Sequence, residues 1–444
     1  MKRRSLFVLL TVMALIAAAC SGGDDGATDA SDSGGGNGEP VQITLWHGYG
    51  EPGVRNGVEN YEADSMQQLI DEFNQTHPDI EVDNVFCCSN DNALQKVTVA
   101  LQGGQQPDIT YQYGTSLPQL SNTPGIMDLT DRVAEADFGW DDFFPGAQAA
   151  STVDGRVLGI PALIDNLAIV YNKQMFADAN LDPPTADWTW EDFRTAAKAL
   201  TDPSTKQYGF AFPADASEDT VWHYDAMLWE AGGDILNADN TEAAFNSEAG
   251  LTAMNTLRDM AVTDQSVYLD PQNTKIDDLF NTGKVGMVIT GPWALSGYPD
   301  IDYGVQPMPS YDGSNHETIA GPDMWVLFDN GEERAAAAWE FISWLTAAEQ
   351  VQKDSMLTGH LPTRQSVLDT PGFTEDFGKK FPGNDVFAEN LANVKKARPV
   401  LASYDQISQA MGQAIVAVLL GEKDPQQALD EASSTVNGIL AVPA

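Results

Sequence analysis

The sequence predicts an α/β protein with two domains, each built around a sheet that helices cover. Stretches in which every second residue is apolar, as in strands, are followed by stretches with apolar residues at helical spacing. This order begins at residue 41 and resumes after residue 155. The 444 residues are enough for two domains. Strands that alternate with helices favour parallel pairing within each sheet.

The N-terminus has the features of a secretory signal. The positive cluster KRR precedes an apolar run over residues 6–19, which is shorter than the roughly 20 apolar residues that span a bilayer. The run ends at Cys20, and the sequence AAAC resembles a bacterial lipobox, in which the cysteine is acylated. We expect a signal peptide over residues 1–19 and lipidation at Cys20. The alternative is ordinary cleavage beside an unmodified cysteine.

Residues 20–40 are rich in Gly, Ser and Asp and contain almost no apolar residues. Such a segment cannot bury enough surface to offset its chain entropy, so we expect a disordered tether. Acyl chains on Cys20 would hold the protein outside the cytoplasm at the cell membrane, which it would contact through the lipid anchor only.

The first domain begins with an expected strand in VQITLWH, residues 41–47, where apolar and polar side chains alternate. Apolar residues recur at helical spacing from Met66 to Phe73 and predict a helix over residues 61–75. A strand in DIEVDNVF, a helix in NALQKVTVALQGG that ends at Gly103 and a strand in PDITYQY follow.

The second domain repeats this order. The apolar residues 167–170 predict a buried strand. The sequence TWED at residues 189–192 predicts a capped helix start, and Ser247 is expected to cap another helix. Asp424 followed by Pro425 gives the preferred opening of a last helix.

The chain carries 65 acidic and 23 basic residues, a formal charge of −42. This charge argues against nucleic acid, an anionic membrane surface or a strongly anionic ligand as the main partner. A solvated acidic surface accounts for it.

Beyond Cys20 the sequence has two cysteines, the neighbours Cys87 and Cys88. A disulfide between adjacent cysteines cannot link segments that are distant in the chain. A vicinal disulfide, two free thiols and pairing with another chain all stay open.

Enzyme motifs are weak or missing. The sequence GYGEPG at residues 48–53 matches the spacing of a dinucleotide-binding loop, but Glu51 would face the pyrophosphate and Pro52 delays any helix. No H-E-x-x-H or G-x-S-x-G motif occurs. Carboxylates are so abundant that pairing two of them as a glycosidase site is uninformative. The sequence therefore predicts no catalytic residue, no metal and no cofactor.

Aromatic residues stand at expected strand ends and turns: Trp46, Tyr111, Tyr113, Trp222, Trp293, Trp325 and Tyr404. Sugars offer apolar C–H faces and polar edges, so their sites combine aromatic rings with hydrogen-bonding side chains. Trp293 follows the expected strand VGMVI and the turn Gly291-Pro292, which delivers its ring to a loop. By contrast, Trp339 and Trp344 lie in an apolar helical run and are expected in the core.

The segment FNTGKVGMVITGPWALSGYPD, residues 280–300, resembles the corresponding segment of the carbohydrate-binding receptors of ABC importers, the family of maltose-binding protein. In that family the Gly-Pro-Trp turn supplies a ring that stacks on sugar. Other segments agree in the same order: LIDEFNQTHPDIEV, GGQQPDITYQY, LAIVYNKQMFADANLDPP, WEAGGDIL, TGHLPTR and ARPVLASYDQISQAM. The resemblance covers the chain from about residue 41.

The resemblance implies the two-lobe periplasmic-binding-protein (Venus flytrap) fold, in which each lobe is a helix-covered sheet and the ligand cleft lies between the lobes. In this family the chain passes between the lobes three times. We therefore expect an N-terminal lobe from residues 41–163 and 318–365, and a C-terminal lobe from residues 164–317 and 366–444.

The resemblance also implies which residues line the cleft: His47, Tyr49, Asn90, Asn92, Gln112, Tyr113, Asp165, Trp222, Trp293, Asp323, Met324, Arg398 and Tyr404. Asp165 matches an acid that hydrogen-bonds sugar hydroxyls, and the two tryptophans match stacking rings. The glycine-rich loop at residues 48–61 is longer than in maltose-binding protein and lacks its basic residue, so the identity of the sugar does not carry over.

The function implied is that of a monomeric, extracytoplasmic solute-binding lipoprotein that is not an enzyme. It would capture a di- or oligosaccharide and deliver it to the transmembrane subunits of an ABC permease. Three alternatives stay open: a secreted carbohydrate-active enzyme, a cell-surface structural protein, and a receptor for a glycerol-phosphate compound whose phosphate would meet Arg398.

Overall fold

A computed structural model describes residues 39–55 and 58–442 of the chain. The expected signal peptide, the lipidation site Cys20 and the tether up to residue 38 lie outside the described residues.

Fourteen strands are found in the described part of the chain. They are β1 (Val41–His47), β2 (Val54–Arg55), β3 (Val58–Glu59), β4 (Ile80–Phe86), β5 (Ile109–Tyr113), β6 (Thr152–Val153), β7 (Arg156–Val157), β8 (Ile160–Leu163), β9 (Ala168–Asn172), β10 (Tyr208–Pro213), β11 (Val267–Asp270), β12 (Val285–Thr290), β13 (Tyr303–Gln306) and β14 (Asp323–Leu327).

The same residues form seventeen α-helices. They are α1 (Tyr61–Thr76), α2 (Ala93–Gln102), α3 (Leu117–Leu120), α4 (Thr130–Val133), α5 (Pro145–Ala150), α6 (Lys173–Asp178), α7 (Trp190–Leu200), α8 (Glu218–Glu230), α9 (Glu248–Arg258), α10 (Ile276–Asn281), α11 (Glu332–Leu345), α12 (Ala348–Thr358), α13 (Gln365–Leu368), α14 (Phe373–Lys380), α15 (Asn384–Asn390), α16 (Tyr404–Leu419) and α17 (Pro425–Leu440).

The elements predicted from the sequence are confirmed where their local signals were strong. Helix α7 begins with a complete capping box, in which Thr189 and Asp192 bond each other's backbone. Ser247 caps α9 and Asp424 caps α17 through their side chains. These caps satisfy backbone donors that the first turn of a helix leaves without partners.

Two five-stranded sheets organise the fold. The first has the strand order β4-β1-β5-β14-β8 and the second β11-β10-β12-β9-β13. In the first sheet β1 pairs in parallel with β4 and β5, and in the second β10 pairs in parallel with β11 and β12. The two-sheet α/β architecture predicted from the sequence is confirmed.

The expected parallel pairing is found in only part of each sheet, because each sheet also contains one reversed strand. In the first sheet β14 runs antiparallel to both of its neighbours, and in the second β9 does so. Both strands are the first that the chain forms after it crosses from the other sheet. A strand reached through a covering helix starts at the far end of its sheet, whereas these two start at the end where the crossing segments enter.

Both faces of each sheet are buried, as helix-covered sheets require. Along β14, Trp325 and Leu327 belong to one apolar cluster, whereas Met324 and Val326 belong to another on the opposite face. The strand β9 divides its residues between two clusters in the same way. Because side chains alternate along a strand, neighbouring residues on these strands have different surroundings.

Two chain segments connect the sheets and bond each other. The first, residues 164–167, follows β8, and the second, residues 317–322, precedes β14. Asn166 forms an antiparallel bridge with Ala320, and the amide N–H of Gly321 donates to the carbonyl of Asp165 at 3.1 Å. The side chain of Asn390 donates to the Asn166 side chain at 2.8 Å and adds a third segment to this junction.

Candidate ligand-binding cleft

A cleft of about 330 Å³ lies where the strand ends of the two sheets meet. Clefts of this size hold small ligands and occur preferentially between domains. Its polar and aromatic lining is formed by Glu62, Asn90, Asp91, Tyr111, Tyr113, Asp165, Glu218, Asp219, Trp222, His223, Asn273, Asp277, Thr290, Trp293, Asp323, His360 and Arg398.

Two tyrosine–aspartate pairs lie on the first sheet's side of the cleft; Asp323 is on β14, and Asp91 is in the short turn that follows β4. Tyr111 and Tyr113 are two residues apart on β5, so their rings point to the same face. The hydroxyl of Tyr111 donates to Asp323 Oδ2 at 2.6 Å, and that of Tyr113 donates to Asp91 Oδ1 at 3.1 Å. Burial raises the pKa of Asp323 to about 7. The other oxygen of Asp323, Oδ1, is buried and has no hydrogen-bond partner.

Two indole rings form an aromatic wall on the second sheet's side. Trp222 lies on α8 and is 9 % exposed, and Trp293 is half-buried in the turn after β12. Their ring centres are 5.8 Å apart with an angle of 32° between the planes. The Trp293 ring folds over Gly291, where an added Cβ would lie 1.8 Å from the ring, so this arrangement requires glycine. The indole N–H of Trp222 is buried without a partner.

Arg398 does not offer a free cation to the cleft. It is 8 % exposed, and its Nη1 donates to Glu218 Oε1 at 2.7 Å. The hydroxyls of Tyr404 and Ser408 also donate to the Glu218 carboxylate. Burial opposes the charge of Arg398, but Glu218 raises its pKa above the usual value.

His360 joins three parts of the chain at the base of the cleft. Its Nδ1 bonds Asp165 of the first connecting segment, and its Nε2 lies 3.0 Å from Glu62 Oε1 on α1. The other oxygen of Asp165 accepts from the backbone N–H of Leu361 at 2.9 Å. Burial disfavours the imidazolium, yet Asp165 and then Glu62 raise the pKa of His360 well above its usual value.

A second histidine, His223, holds Asp219 on α8. The two side chains are 3.3 Å apart, and Asn273 Nδ2 donates to Asp219 Oδ2 at 2.6 Å. Burial works against the charge of Asp219, but the His223 ring and the Asn273 amide lower its pKa. Burial likewise opposes a charged His223, whose pKa Asp219 raises.

Gly321 forms an open part of the cleft floor. A Cβ added there would lie 3.3 Å from Arg398 Nη2, 3.6 Å from Asp323 Oδ1 and 3.7 Å from Trp222 Cζ2. A cation, a carboxylate oxygen and an aromatic edge therefore converge on a point that the glycine leaves empty.

The cleft includes seven of the thirteen residues predicted from the sequence: Asn90, Tyr113, Asp165, Trp222, Trp293, Asp323 and Arg398. Tyr49 lines a smaller neighbouring cavity, while Asn92 and Tyr404 line an adjoining groove. The structure places the remaining three in the interior.

Strand alternation explains why two of these three are in the interior. Gln112 and Met324 are fully buried, because they point away from the face that carries Tyr113 and Asp323. His47 is 2 % exposed; its ring stacks on Tyr49 at 5.4 Å, and its Nδ1 accepts from the Tyr49 N–H at 3.2 Å.

Ten polar lining residues were not predicted: Glu62, Asp91, Tyr111, Glu218, Asp219, His223, Asn273, Asp277, Thr290 and His360. Two signals in the sequence would have found some of them. Tyr111 shares a strand face with Tyr113, and Asp219 lies one helical turn before His223 and beside the face of Trp222. Thr290 is the last residue of β12, and the others come from first turns and loops, where no periodic pattern marks them.

The glycine-rich loop and the cysteine pair lie beside the cleft region of the first sheet. The glycine-rich residues 48–53 do not open a helix; α1 begins at Tyr61, and its cap Asn60 donates back to the Tyr49 carbonyl at 2.7 Å. Cys87 and Cys88 are half-buried and form no disulfide, and their Sγ atoms lie 2.6 Å apart. In residues 39–55 and 58–442, no group of three or more His, Cys, Asp or Glu side chains is placed to hold a metal ion.

Within this described part of the chain, no helix combines the length and the apolar character that crossing a membrane requires.

Comparison with known sequences finds relatives that bind small solutes. The chain is 25 % identical over 348 residues to a maltotriose-binding protein of Pyrococcus abyssi, covering 76 % of this chain and 69 % of the relative. It is 24 % identical over 416 residues to an sn-glycerol-3-phosphate-binding periplasmic protein of Yersinia enterocolitica, covering 89 % of this chain and 91 % of the relative.

Solved structures share the whole fold. The cyclic α-maltosyl-1,6-maltose binding protein of Arthrobacter globiformis superposes with a TM-score of 0.72 at 27 % identity, covering 90 % of this chain and 99 % of that protein. The two-lobe fold predicted from the sequence is confirmed. Residues 59–352 match the profile of the bacterial extracellular solute-binding proteins, so the resemblance is confirmed for the family as well. The chain belongs to the family of bacterial extracellular solute-binding proteins.

Proposed function

We propose that this protein is the carbohydrate receptor of an ABC importer: it captures a di- or oligosaccharide and delivers it to the transmembrane subunits of the permease. The observation that carries this proposal is the wall formed by Trp222 and Trp293, which faces hydrogen-bonding carboxylates across the cleft. Indole rings cover the C–H faces of a sugar, and carboxylates accept its hydroxyl protons. The relatives whose names include maltotriose and a cyclic maltosyl-maltose support this ligand class.

A glycerol-phosphate ligand is the second candidate, since one relative carries that name. The cleft chemistry favours sugar over phosphate. Arg398, the residue expected to meet an anion, donates to the Glu218 carboxylate. Two hydroxyl groups donate to the same carboxylate. A phosphate would have to displace this carboxylate or bind beside it.

The experiment is a thermal-shift screen of the purified protein against mono-, di- and oligosaccharides and glycerol phosphates. A ligand that binds only the folded state raises the unfolding midpoint by mass action. We expect stabilisation by a sugar and none by glycerol 3-phosphate. The reverse result would replace the proposal by the second candidate. Chromatography of the ligand after prolonged incubation tests the enzyme alternative, and we expect the sugar to be recovered intact.

Ligand capture is proposed to close two lobes around the sugar. We assign the N-terminal lobe to residues 41–163 and 318–365 and the C-terminal lobe to residues 164–317 and 366–444. A ligand that touches both lobes selects the closed form. Small-angle scattering should show a smaller radius of gyration with saturating ligand, in a monomer of unchanged mass. An unchanged radius would contradict closure.

The N-terminal 40 residues are proposed to export and anchor this receptor, with a signal peptide over residues 1–19, acylation at Cys20 and a tether over residues 20–40. Labelled palmitate should enter the full-length protein in a bacterial host that acylates lipoproteins, and Cys20→Ser should abolish the labelling. Labelling that persists in the variant would remove the lipid anchor from the proposal.

A further inference from the structure

The cleft has an excess of negative charge. Seven carboxyl groups line it: Glu62, Asp91, Asp165, Glu218, Asp219, Asp277 and Asp323. Three lining residues are basic, namely His223, His360 and Arg398. With every group ionised, the lining has four more negative than positive charges.

All three basic side chains are already bound to carboxylates of the lining. Arg398 bonds Glu218, His223 holds Asp219, and His360 bridges Asp165 and Glu62. These contacts account for four of the seven carboxyl groups. None of the three cations is left to compensate the remaining carboxylates or to attract an anionic ligand.

The other three carboxyl groups, those of Asp91, Asp277 and Asp323, have neutral phenols as their hydrogen-bond partners. The hydroxyls of Tyr113, Tyr298 and Tyr111 donate to them in that order. A phenol satisfies one acceptor position but does not neutralise a charge.

Two polar groups nine-tenths buried in the lining have no partner and mark the cleft as a ligand site. Asp323 Oδ1 and the indole N–H of Trp222 belong to side chains that are each 9 % exposed. Leaving such groups without a hydrogen bond is costly. A ligand that donates to the first and accepts from the second removes both costs.

Asp91, which no basic side chain compensates, shares the cleft lining with the acidic start of α8. The negative charges of Asp219, Asp215 and Glu218, all at or just before α8, act on Asp91 from the opposite wall. Desolvation in the cleft is the largest cause that raises the pKa of Asp91, and the charges of these carboxylates raise it further. The pKa of Asp91 therefore lies above its usual value. Like charges that meet across the cleft oppose its closure unless a positive group lies between them.

We propose that the sugar bound in this cleft is an amino sugar, whose protonated amine lies between Asp91 and Asp219 while its ring stacks on the indole wall. This inference rests on the proposed carbohydrate-receptor function and names the ligand class within it. A hydroxyl at the same position donates one hydrogen bond. An ammonium donates up to three and also neutralises the repulsion between the walls.

The test uses sugars that differ in one group. Binding of glucosamine, galactosamine and mannosamine is compared with binding of glucose, galactose and mannose by calorimetry on the full chain at pH 7. At this pH the amines are still largely protonated, and Asp91, whose pKa is raised to about 7, is ionised in about half of the molecules. We expect at least one amino sugar to bind at least tenfold more tightly than its hydroxyl parent. Raising the salt concentration from 50 to 500 mM should weaken binding of the amino sugar and leave binding of the parent sugar unchanged, since salt screens charge interactions.

The variant Asp91→Asn identifies the position of the amine. Asp91 is exposed in the cleft, so the substitution should leave folding intact. We expect it to reduce the ratio of amino-sugar to parent affinity at least fivefold. The matched control is Asp131→Asn, which removes an exposed carboxylate of α4 outside the cleft lining and should keep the ratio.

Each outcome decides the inference. Parent sugars that bind as tightly as their amino forms overturn it and leave the carbohydrate-receptor function standing. A tenfold preference that Asp91→Asn and Asp131→Asn reduce equally refutes the placement between Asp91 and Asp219. If neither these six sugars nor the wider screen stabilises the protein, both the amino-sugar inference and the receptor function fail.

Discussion

Trp293→Ala separates a ligand-stacking ring from an ordinary core ring. The Trp293 side chain is half-buried and lies against Trp222, with one part in the cleft lining and another packed on the apolar clusters of the second sheet. If the ring stacks on the ligand, its removal should mainly lower the affinity. If the ring belongs to the core, its removal should mainly lower the folding stability.

The expected loss of affinity follows from the exposed ring face. Stacking contributes about 0.5–1.5 kcal/mol beyond area burial. A sugar ring that covers about 40–60 Å² of the indole adds about 1–1.5 kcal/mol, at about 25 cal/mol per Å². The sum, about 1.5–3 kcal/mol, corresponds to a dissociation constant that is roughly 10- to 150-fold larger.

The expected loss of stability is smaller than for a core tryptophan. Replacing a fully buried Trp by Ala costs about 3–5 kcal/mol, and because Trp293 is half-buried we expect about 1–3 kcal/mol. Trp188 is a matched control, since it is also half-buried, packs on Phe176 at 6.1 Å and does not line the cleft. Trp188→Ala should lose similar stability and keep its affinity.

Two measurements are needed: urea unfolding of the ligand-free protein and calorimetric titration with the sugar found in the screen. Trp293→Ala with an affinity within threefold of the unsubstituted protein refutes the stacking role. So does a loss of stability near that of a fully buried residue such as Trp229, because binding would then be lost through unfolding.

Three further predictions concern neighbouring side chains. Burial, the largest cause, and the Asp165 charge raise the pKa of Asp323 from 3.8 to about 7, so the folded state holds this proton more tightly than the unfolded state and stability falls as pH rises from about 4 to about 7. Asp323→Asn should remove this fall, which amounts to at most about 1.36 kcal/mol per unit of pKa shift. Thermal unfolding of both proteins at pH 4 and pH 8 checks this, and a substitution that shifts the unfolding midpoint equally at both pH values contradicts it. Met324→Leu should cost less than about 1.5 kcal/mol and leave the affinity unchanged, because the side chain is buried behind the strand; weakened binding in calorimetry would place Met324 in the site after all. Arg364→Lys should destabilise the fold by about 2–4 kcal/mol in urea unfolding, because Arg364 donates to the carbonyls of Gly139 and Phe138, both at 3.0 Å, and lysine cannot reach both; a cost below about 1 kcal/mol would contradict this.

The local structure was predictable wherever the cause is local. The capping box at Thr189 and Asp192 needs four consecutive residues, and the period of two in β1 needs seven. Strand direction was not predictable in this way. The reversal of β9 and β14 depends on where the chain enters each sheet, which sequence periodicity does not encode.

The cleft was predictable through residues that match a family position and also point to the correct face. Asp323 and Met324 are neighbours with the same family support, but the pleat of β14 turns one to the cleft and the other to the core. His360 shows the remaining difficulty. Its partners Asp165 and Glu62 are 195 and 298 residues away in the sequence, so nothing near His360 indicates their meeting.

The empty point above Gly321 has a consequence for how such a receptor changes its ligand over evolutionary time. A methyl group there would meet Arg398, Asp323 and Trp222 at 3.3–3.7 Å, so alanine fits with a few tenths of an ångström of adjustment in the Arg398 side chain. The backbone at Gly321 would keep its bond to Asp165. A single nucleotide change in the glycine codon could thus shorten the cleft by one methyl group and shift the preferred sugar, provided that Arg398 moves by these few tenths of an ångström. Gene duplicates that diverge at this position would become receptors of different selectivity on one unchanged scaffold.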